Sequence, residues 1–484
     1  VSGCTDAQKP HMIYAMDNGR KNKIIVTFHE QKAKELYEDY RLYDPETLYY
    51  PAKDLIFYQA DIHGNLLIRQ RLQVIQALLE RKEVTIITSA GGCMDFLLPL
   101  GVFEKHCIHL RNDSELDLDK IRKELVRLGY ESTFQVESTG QFSVRGGILD
   151  IYPLTEQNPI RIELWGDEID SIRSFDAESQ RSIENLEEIT IYPASELILT
   201  EDTIARGVKA IKKEAKAQST KFRDKMMTEE AARIRHAAEE ICDRIGEGEI
   251  LQGAEQYLHY FYPETVSFLD YLPESSRIFL DEPNRIIECA TALETEFQES
   301  VSHRLEKGYL LPGQAKLMCS TSELTARLNR RGCVAVSLME PQKGEWNIRG
   351  EFSVTVKSVN SYNNQFPLLV KDLKSWKKAG YRIVLASPSR TRAQHLAEDL
   401  QNEEIPAFYS ENEERVLNPG EVMLIHGAAR RGFEYPMQKF VLITETDIFG
   451  KEKKKNRKKS EYSGQKIQNF ADLSIGDYVV HESH

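Results

Sequence analysis

The chain has 484 residues, 41% hydrophobic and 29% charged, with a formal net charge of −13. That length predicts about three domains, or four, at about 150 residues each. The composition is that of a globular chain, no apolar run reaches the ~18 residues of a membrane span, and the excess of acid argues against DNA binding over the whole surface, so any nucleic-acid contact must be local. Val1 to Met16 lack the basic flank and apolar centre of a secretory signal, which predicts a cytoplasmic protein with no membrane partner. The seven cysteines are odd in number, widely spaced and without a C-x-x-C pair, and no H-E-x-x-H occurs, so free thiols and no metal are expected.

In chain order, Lys23 to Phe28 reads as a buried strand, Glu30 to Tyr40 as a helix and Thr47 to Tyr50 as a short strand. Asn65 to Arg81 carries Leu66, Leu67, Leu72, Ile75, Leu78 and Leu79 at helical spacing, and Val84 to Thr88 is another apolar strand. Strand–helix–strand alternation predicts a parallel sheet with crossover helices. From about 132 to 199 short strands and turns predict a separate β-rich module. Residues 200–248 read as long, charged and helical, with Gly246 and Gly248 as stop signals. A strand over Ser276 to Leu280 and a helix from Asn284 to Glu306 follow, closed by Gly308. A second α/β unit has strands at Ile383 to Ala386, Val422 to Ile425 and Phe440 to Thr444, and a helix at Thr391 to Asn402. Lys451 to Lys459 holds seven basic residues and one acid and reads as a solvated linker, the alternative being a phosphate-binding tract. Ile475 to His481 opens a further strand.

Gly3-Cys4-Thr5-Asp6-Ala7-Gln8-Lys9-Pro10 has the frame of a phosphate-binding loop, glycine, four residues, a turn position, lysine and a hydroxyl position. The turn position, where glycine lets backbone N–H groups wrap a phosphate, is Gln8, and the magnesium-holding hydroxyl is replaced by Pro10. Ile278 to Leu280 delivers Asp281 and Glu282, where a motor would hold magnesium and orient water. Gly3, Lys9, Asp281 and Glu282 are therefore read as vestiges of a nucleotide site, with no catalytic residue and no cofactor expected in this chain. The rival reading is a DNA-dependent ATPase or helicase subunit with an active site over residues 3–10 and 281–282.

In the β module, alternation places Ile160, Ile162 and Leu164 on one face and Arg161, Glu163 and Trp165 on the other. Gly146 and Gly147 allow a bulge beside Arg145. Trp and Arg dominate protein–protein hot spots; the plainer reading has Trp165 covering a small core and Arg161 pairing with a cross-strand acid. Residues 137–199 contain four arginines, no lysine and thirteen acids, a balance of −9, which favours a protein partner over DNA.

The runs Val144 to Pro153, Pro159 to Asp176 and Ile191 to Glu196 resemble domain 2 of bacterial transcription-repair coupling factors and of the excision-repair protein UvrB. The resemblance implies that this domain binds UvrA through Arg145, Arg161 and Trp165, the last where relatives often carry Phe. The damaged loop is similar to that of the coupling factors, and Tyr49 to Gly64 is too short for the damage-probing hairpin of UvrB. Leu442 to Gly450 resembles the end of the family's domain 3, and Asp477, Tyr478, Val479, Val480 and His481 look like the start of its RNA polymerase-interacting domain. The expected fold class is thus multidomain α/β, with a degenerate RecA-like, UvrB-like parallel-sheet body, an inserted β-rich α+β domain and a second small α/β domain. The expected domains are 1–107, 108–197 (UvrA-binding), 198–315 (completing the body), 316–450, a basic linker 451–470, and 471–484 opening the polymerase-binding domain. In the full-length family, the resemblance implies, an ATP- and magnesium-dependent motor translocates on DNA and displaces stalled RNA polymerase, and a carboxy-terminal domain masks the UvrA surface. Without those regions, UvrA binding by this chain is expected to be open.

Overall fold

The computed structural model describes residues 1–17, 20–53, 65–246, 254–340, 346–412 and 415–450. The expected basic linker, the opening strand of a polymerase-binding domain and most of the short stretch from Tyr49 to Gly64 lie outside the described residues. The fold is mixed α/β and is built around three larger sheets.

The first sheet has five parallel strands in the order Cys333–Val336, Arg277–Asp281, Lys23–Thr27, Thr85–Ser89 and Leu48–Tyr50. A parallel sheet is covered on both faces, which is why its strands read as continuous apolar runs. Ile24, Val26, Ile86 and Ile278 point into the main core, whereas Ile25, Ile87 and Phe279 pack on the other face with Ile13, Ala33, Leu36 and Tyr40. Strand order reverses between Lys23–Thr27 and Arg277–Asp281, and at such a switch point α/β sheets open a crevice beyond the strand ends.

The expected break after residue 315 is not where the first body ends. Helix Thr321–Arg331 buries Leu324 and Leu328 in the main core, and Cys333–Val336 pairs with Arg277–Asp281 as the edge strand. The four-residue strand is too short to announce its sheet. The long helical stretch is likewise two antiparallel helices, Glu201–Asp224 and Thr228–Gly246, separated at Met226, whose φ is +61°.

The inserted module is a six-stranded sheet in the order Ser182–Leu186, Glu168–Phe175, Ile160–Trp165, Ile148–Ile151, Gln141–Arg145 and Glu131–Ser132, antiparallel except for the last pair. Its apolar face, with Phe142, Leu149, Ile151, Ile160, Ile162, Ile169 and Ile172, packs with Ile121 and Leu125 of helix Leu118–Arg127. Its entry and exit pair as an antiparallel ribbon, Ile108–Arg111 with Glu188–Ile191. The third sheet holds four parallel strands, Ala407–Tyr409, Val422–His426, Arg382–Ser387 and Phe440–Thr444, then two antiparallel ones, Phe433–Tyr435 and Lys357–Ser358. Helices Phe366–Lys378 and Arg390–Asn402 cover one face, and Met12 and Leu42 of the first body pack on the other.

A buried ionic knot ties the module's exit to the first body. Arg71 is fully buried; its guanidinium donates to Glu196 at 2.8 Å, Asp95 at 3.0 Å and the Pro51 carbonyl at 2.6 Å, and lies 4.2 Å from the centre of the Tyr50 ring. Lys53 adds a second cation to Glu196 at 2.5 Å. Burial alone would raise the Glu196 carboxyl, but Arg71 and Lys53 hold it down to about 2. Asp95 makes one bond to the same guanidinium and feels the Glu196 charge, so burial pushes it up to about 6.

Removing one partner of a buried network strands the other charges, at a cost of about 3–5 kcal/mol. Arg71→Leu is therefore expected to lower the thermal unfolding midpoint of the body clearly, and an unchanged midpoint would show that the knot adds nothing. Because Glu196 is depressed from its ordinary 4.5, its share is present above that pH and lost as pH falls toward about 2.

Candidate functional site

The degenerate loop lies at the switch point of the first sheet, and the amides at its two ends are already used. Gly3 donates to the Leu338 carbonyl at 3.1 Å and Cys4 to Ser337 at 3.0 Å. The amides of Gln8 and Lys9 both donate to the Thr5 carbonyl, at 3.0 and 3.1 Å, rather than pointing outward. Gly3 has a φ of +81°, and a Cβ there would stand 2.2 Å from the Val354 carbonyl oxygen, so the segment around Ser353, bridged to Ser2, packs directly on the start of the loop. Pro10 sits in the first turn of helix Lys9–Met16, where a missing N–H costs nothing.

The Lys9 side chain is buried, and its ammonium donates to Asp281 at 2.7 Å, Glu282 at 2.6 Å and Asp6 at 3.1 Å. Three carboxylates thus receive the three N–H bonds that an ammonium offers. Thr27 at the end of the neighbouring strand donates to the second oxygen of Asp281 at 2.8 Å. Glu282 reaches the cluster from a left-handed backbone, φ +58°, and also accepts from the Leu338 amide at 2.8 Å. Burial by itself would lower the Lys9 pKa, yet the Asp281 charge and the bonds to Asp281 and Glu282 raise it above its ordinary value. The ligand atoms of Asp6, Asp281 and Glu282 lie within 4.8 Å of one another, a spacing suited to a metal ion, but the Lys9 ammonium is bonded to all three. The structure therefore brings Lys9, Asp281 and Glu282 together, with Gly3 beside them, as one ion cluster in which Lys32 is a second cation on Asp6 at 2.9 Å.

The residue that replaces the loop's second glycine has acquired another contact. Gln8 is buried and donates to the Tyr435 hydroxyl of the third sheet at 2.7 Å. His11, one turn on, lies 3.0 Å from the same hydroxyl and stacks against Phe440; burial lowers its pKa to about 4, so the ring is neutral near pH 7. Arg430 closes the joint from the other side, bonding Glu35 at 2.6 Å and Asp39 at 2.9 Å. The sequence reading did not foresee this joint, because nothing in a short loop names a partner more than 400 residues away.

The second group of predicted residues shares one face of the module sheet. Register pairs Arg145 with Ile148, Asp150 with Arg161, and Ile148 with Glu163, so Arg145, Asp150, Arg161, Glu163 and Trp165 all lie opposite the apolar face. Trp165 ends its strand 85% exposed and covers no core. Arg161 does pair with a cross-strand acid: two of its nitrogens meet the buried Asp150 at 2.6 and 2.8 Å, and its guanidinium lies 4.5 Å from the Phe175 ring centre. Arg145 bonds the same Asp150 at 2.9 Å and leans over Phe134, which is 83% exposed. Asp150 thus fixes two arginines, and two large aromatic side chains flank them in water. Asp150 and Phe134 were not singled out from sequence, although the Gly146-Gly147 turn does set the register that puts Asp150 opposite Ser143, on the face that Arg145 shares.

Lys9→Met leaves Asp281 and Glu282 without their cation, whereas exposed Asp6 keeps Lys32. The loss expected is about 3–5 kcal/mol, read as a lower thermal midpoint of the first body. A variant as stable as the parent would mean that the cluster is not held by Lys9.

A profile of the UvrB interaction domain family matches residues 108–197. Over 489 residues the chain is 32% identical to the transcription-repair-coupling factor of Bacillus subtilis (strain 168), the match taking in all of this chain and 41% of that protein. The proteins of the same name from Staphylococcus haemolyticus (strain JCSC1435) and Staphylococcus aureus (strain MRSA252) are 28% and 29% identical, again over the whole chain and 41% of their own length. The chain therefore spans about two fifths of the length of these curated relatives. Among the described residues, no helix is long and apolar enough to cross a membrane. With an exposed arginine–aromatic face on a module that matches the UvrB interaction domain, this chain is similar along its whole length to the amino-terminal region of transcription-repair-coupling factors.

Proposed function

We propose that this chain is a non-catalytic recruiting region in transcription-coupled DNA repair, and that the module of residues 108–197 binds UvrA through Arg145, Arg161 and Trp165. The observation that carries the reading is the Asp150-centred face. Two guanidinium groups held by one buried carboxylate, with Trp165 and Phe134 exposed at their flanks, form the pre-organised Arg and aromatic anchors of a protein hot spot. The acid balance of the module disfavours phosphate at the same face.

In this reading the first body is a RecA-like, UvrB-like scaffold that no longer uses ATP. The amides of Gly3, Cys4, Gln8 and Lys9 donate within the protein, and the lysine ammonium occupies the acids that would hold magnesium, which speaks against the rival DNA-dependent ATPase. A motor elsewhere in the full-length protein would move on DNA and displace stalled RNA polymerase, which binds beyond the described residues, while the module hands the lesion to excision repair in the cytoplasm.

Capture of purified UvrA by the full chain tests the recruiting face. Trp165→Ala, at an exposed side chain that should not disturb folding, is expected to weaken capture at least ten-fold, in line with hot-spot losses of about 2 kcal/mol or more. Arg161→Glu is expected to abolish it, and wild-type capture by both variants would reject the surface. Titration with a fluorescent ATP analogue and magnesium tests the scaffold; no micromolar binding is expected, and binding that disappears in Lys9→Met would restore the ATPase reading.

A further inference from the structure

The chain is acidic overall, but its basic side chains gather densely on part of one helix. Residues 206–223 hold seven basic side chains and a single acid, Glu214, a local balance of +6. The helix Glu201–Asp224 buries Thr203, Gly207, Ile211, Ala215 and Ser219, a stripe set by contact with the second arm of the hairpin and with Phe261. At 100° per residue, Lys209, Lys213 and Lys216 fall on the opposite, exposed side, with Lys212 at its margin, and Arg223 is exposed at the helix end one turn past Ser219. The one acid points away: Glu214 binds the Tyr260 hydroxyl and accepts from the Gly313 amide. Lys212 has a distant partner in Asp243 at 3.8 Å. Among the described residues, Lys209, Lys213, Lys216 and Arg223 have no carboxylate partner.

We propose that this outward helix face is a docking surface for the phosphate backbone of duplex DNA. Four cations without internal partners, on a rigid rod, hold their spacing without paying for side-chain pairing elsewhere. From Lys209 to Arg223 they span about 21 Å, over which a duplex presents a charge every ~1.7 Å of its axis. The stripe has no aromatic side chain, so it lacks the stacking platform by which single strands are held. It also lacks the apolar anchor that a protein partner would need, in contrast to the Trp165 face of the module. Lysines on a helix flank, without amide side chains turned to base edges, contact phosphates in a sequence-independent way. The patch is the local exception that the overall charge of −13 requires of any DNA contact.

The test is fluorescence anisotropy of a labelled 30-base-pair duplex with the full chain, across a salt series starting near 50 mM. The variant Lys209→Gln/Lys213→Gln/Lys216→Gln is expected to bind at least ten-fold more weakly. Its slope of log affinity against log salt should be flatter by about 2.7, the release of ions from three phosphates. The triple Lys371→Gln/Lys374→Gln/Lys378→Gln, on exposed lysines of helix Phe366–Lys378, makes the same change in net charge and is expected to bind like the parent. Circular dichroism and thermal unfolding confirm that both variants are folded. Equal loss in the two triples, or none in the first, overturns the proposal. Displacement of the duplex by poly-glutamate at equal charge concentration would also overturn it, reassigning the stripe to an acidic protein.

Discussion

The ammonium of Lys9 is the point on which the first body turns. It sits beyond the strand ends where the sheet reverses direction, the place at which α/β folds usually receive a ligand. Here Asp281 and Glu282 meet a cation supplied by the chain itself. A charge so deeply buried is tolerable only if it is paired and hydrogen-bonded, and each neighbour meets that demand. Thr27 takes the free oxygen of Asp281, the left-handed Glu282 turns its carboxylate inward, and the loop backbone closes on Thr5. The chain's own ions fill the crevice, and Gln8 of the same loop joins two sheets through Tyr435.

The inserted module solves the opposite problem. Its apolar face is buried under one helix, while its other face must display arginine and tryptophan without letting them collapse onto the sheet. Asp150 does this by taking both guanidinium groups from one side. Arg161 gives a further N–H to Gln180, and Trp165, at the strand end beside Gly166, stands out into water.

Much of this was legible in the residues because the signals were local. Five-residue apolar strands such as Lys23–Thr27, and the helix Glu30–Tyr40 with its alternating burial, announce themselves by period alone. The loss of glycine at Gln8 and of a hydroxyl at Pro10 is likewise a matter of residue chemistry. What escaped depended on long-range pairing. Cys333–Val336 looks like any short apolar run until Arg277–Asp281 takes it as an edge strand. The turn at Met226 has no glycine or proline to mark it, since a left-handed methionine is an unusual break. Arg71, in the middle of an amphipathic helix, reads as a solvated charge, and only the folded chain reveals three acceptors from three different segments around it.

The ribbon formed by Ile108–Arg111 and Glu188–Ile191 has a mechanical consequence. The module's two ends emerge side by side, so a load applied to it by a tethered partner arrives at one edge of a two-stranded ladder. Pulled apart from that edge, such a ladder yields one rung at a time instead of resisting along its full length. What stops the unzipping is the clasp of Glu196 by Arg71 and Lys53 just beyond the exit strand. That clasp makes the insertion a hinged cassette, exchangeable as a unit yet fastened at its root.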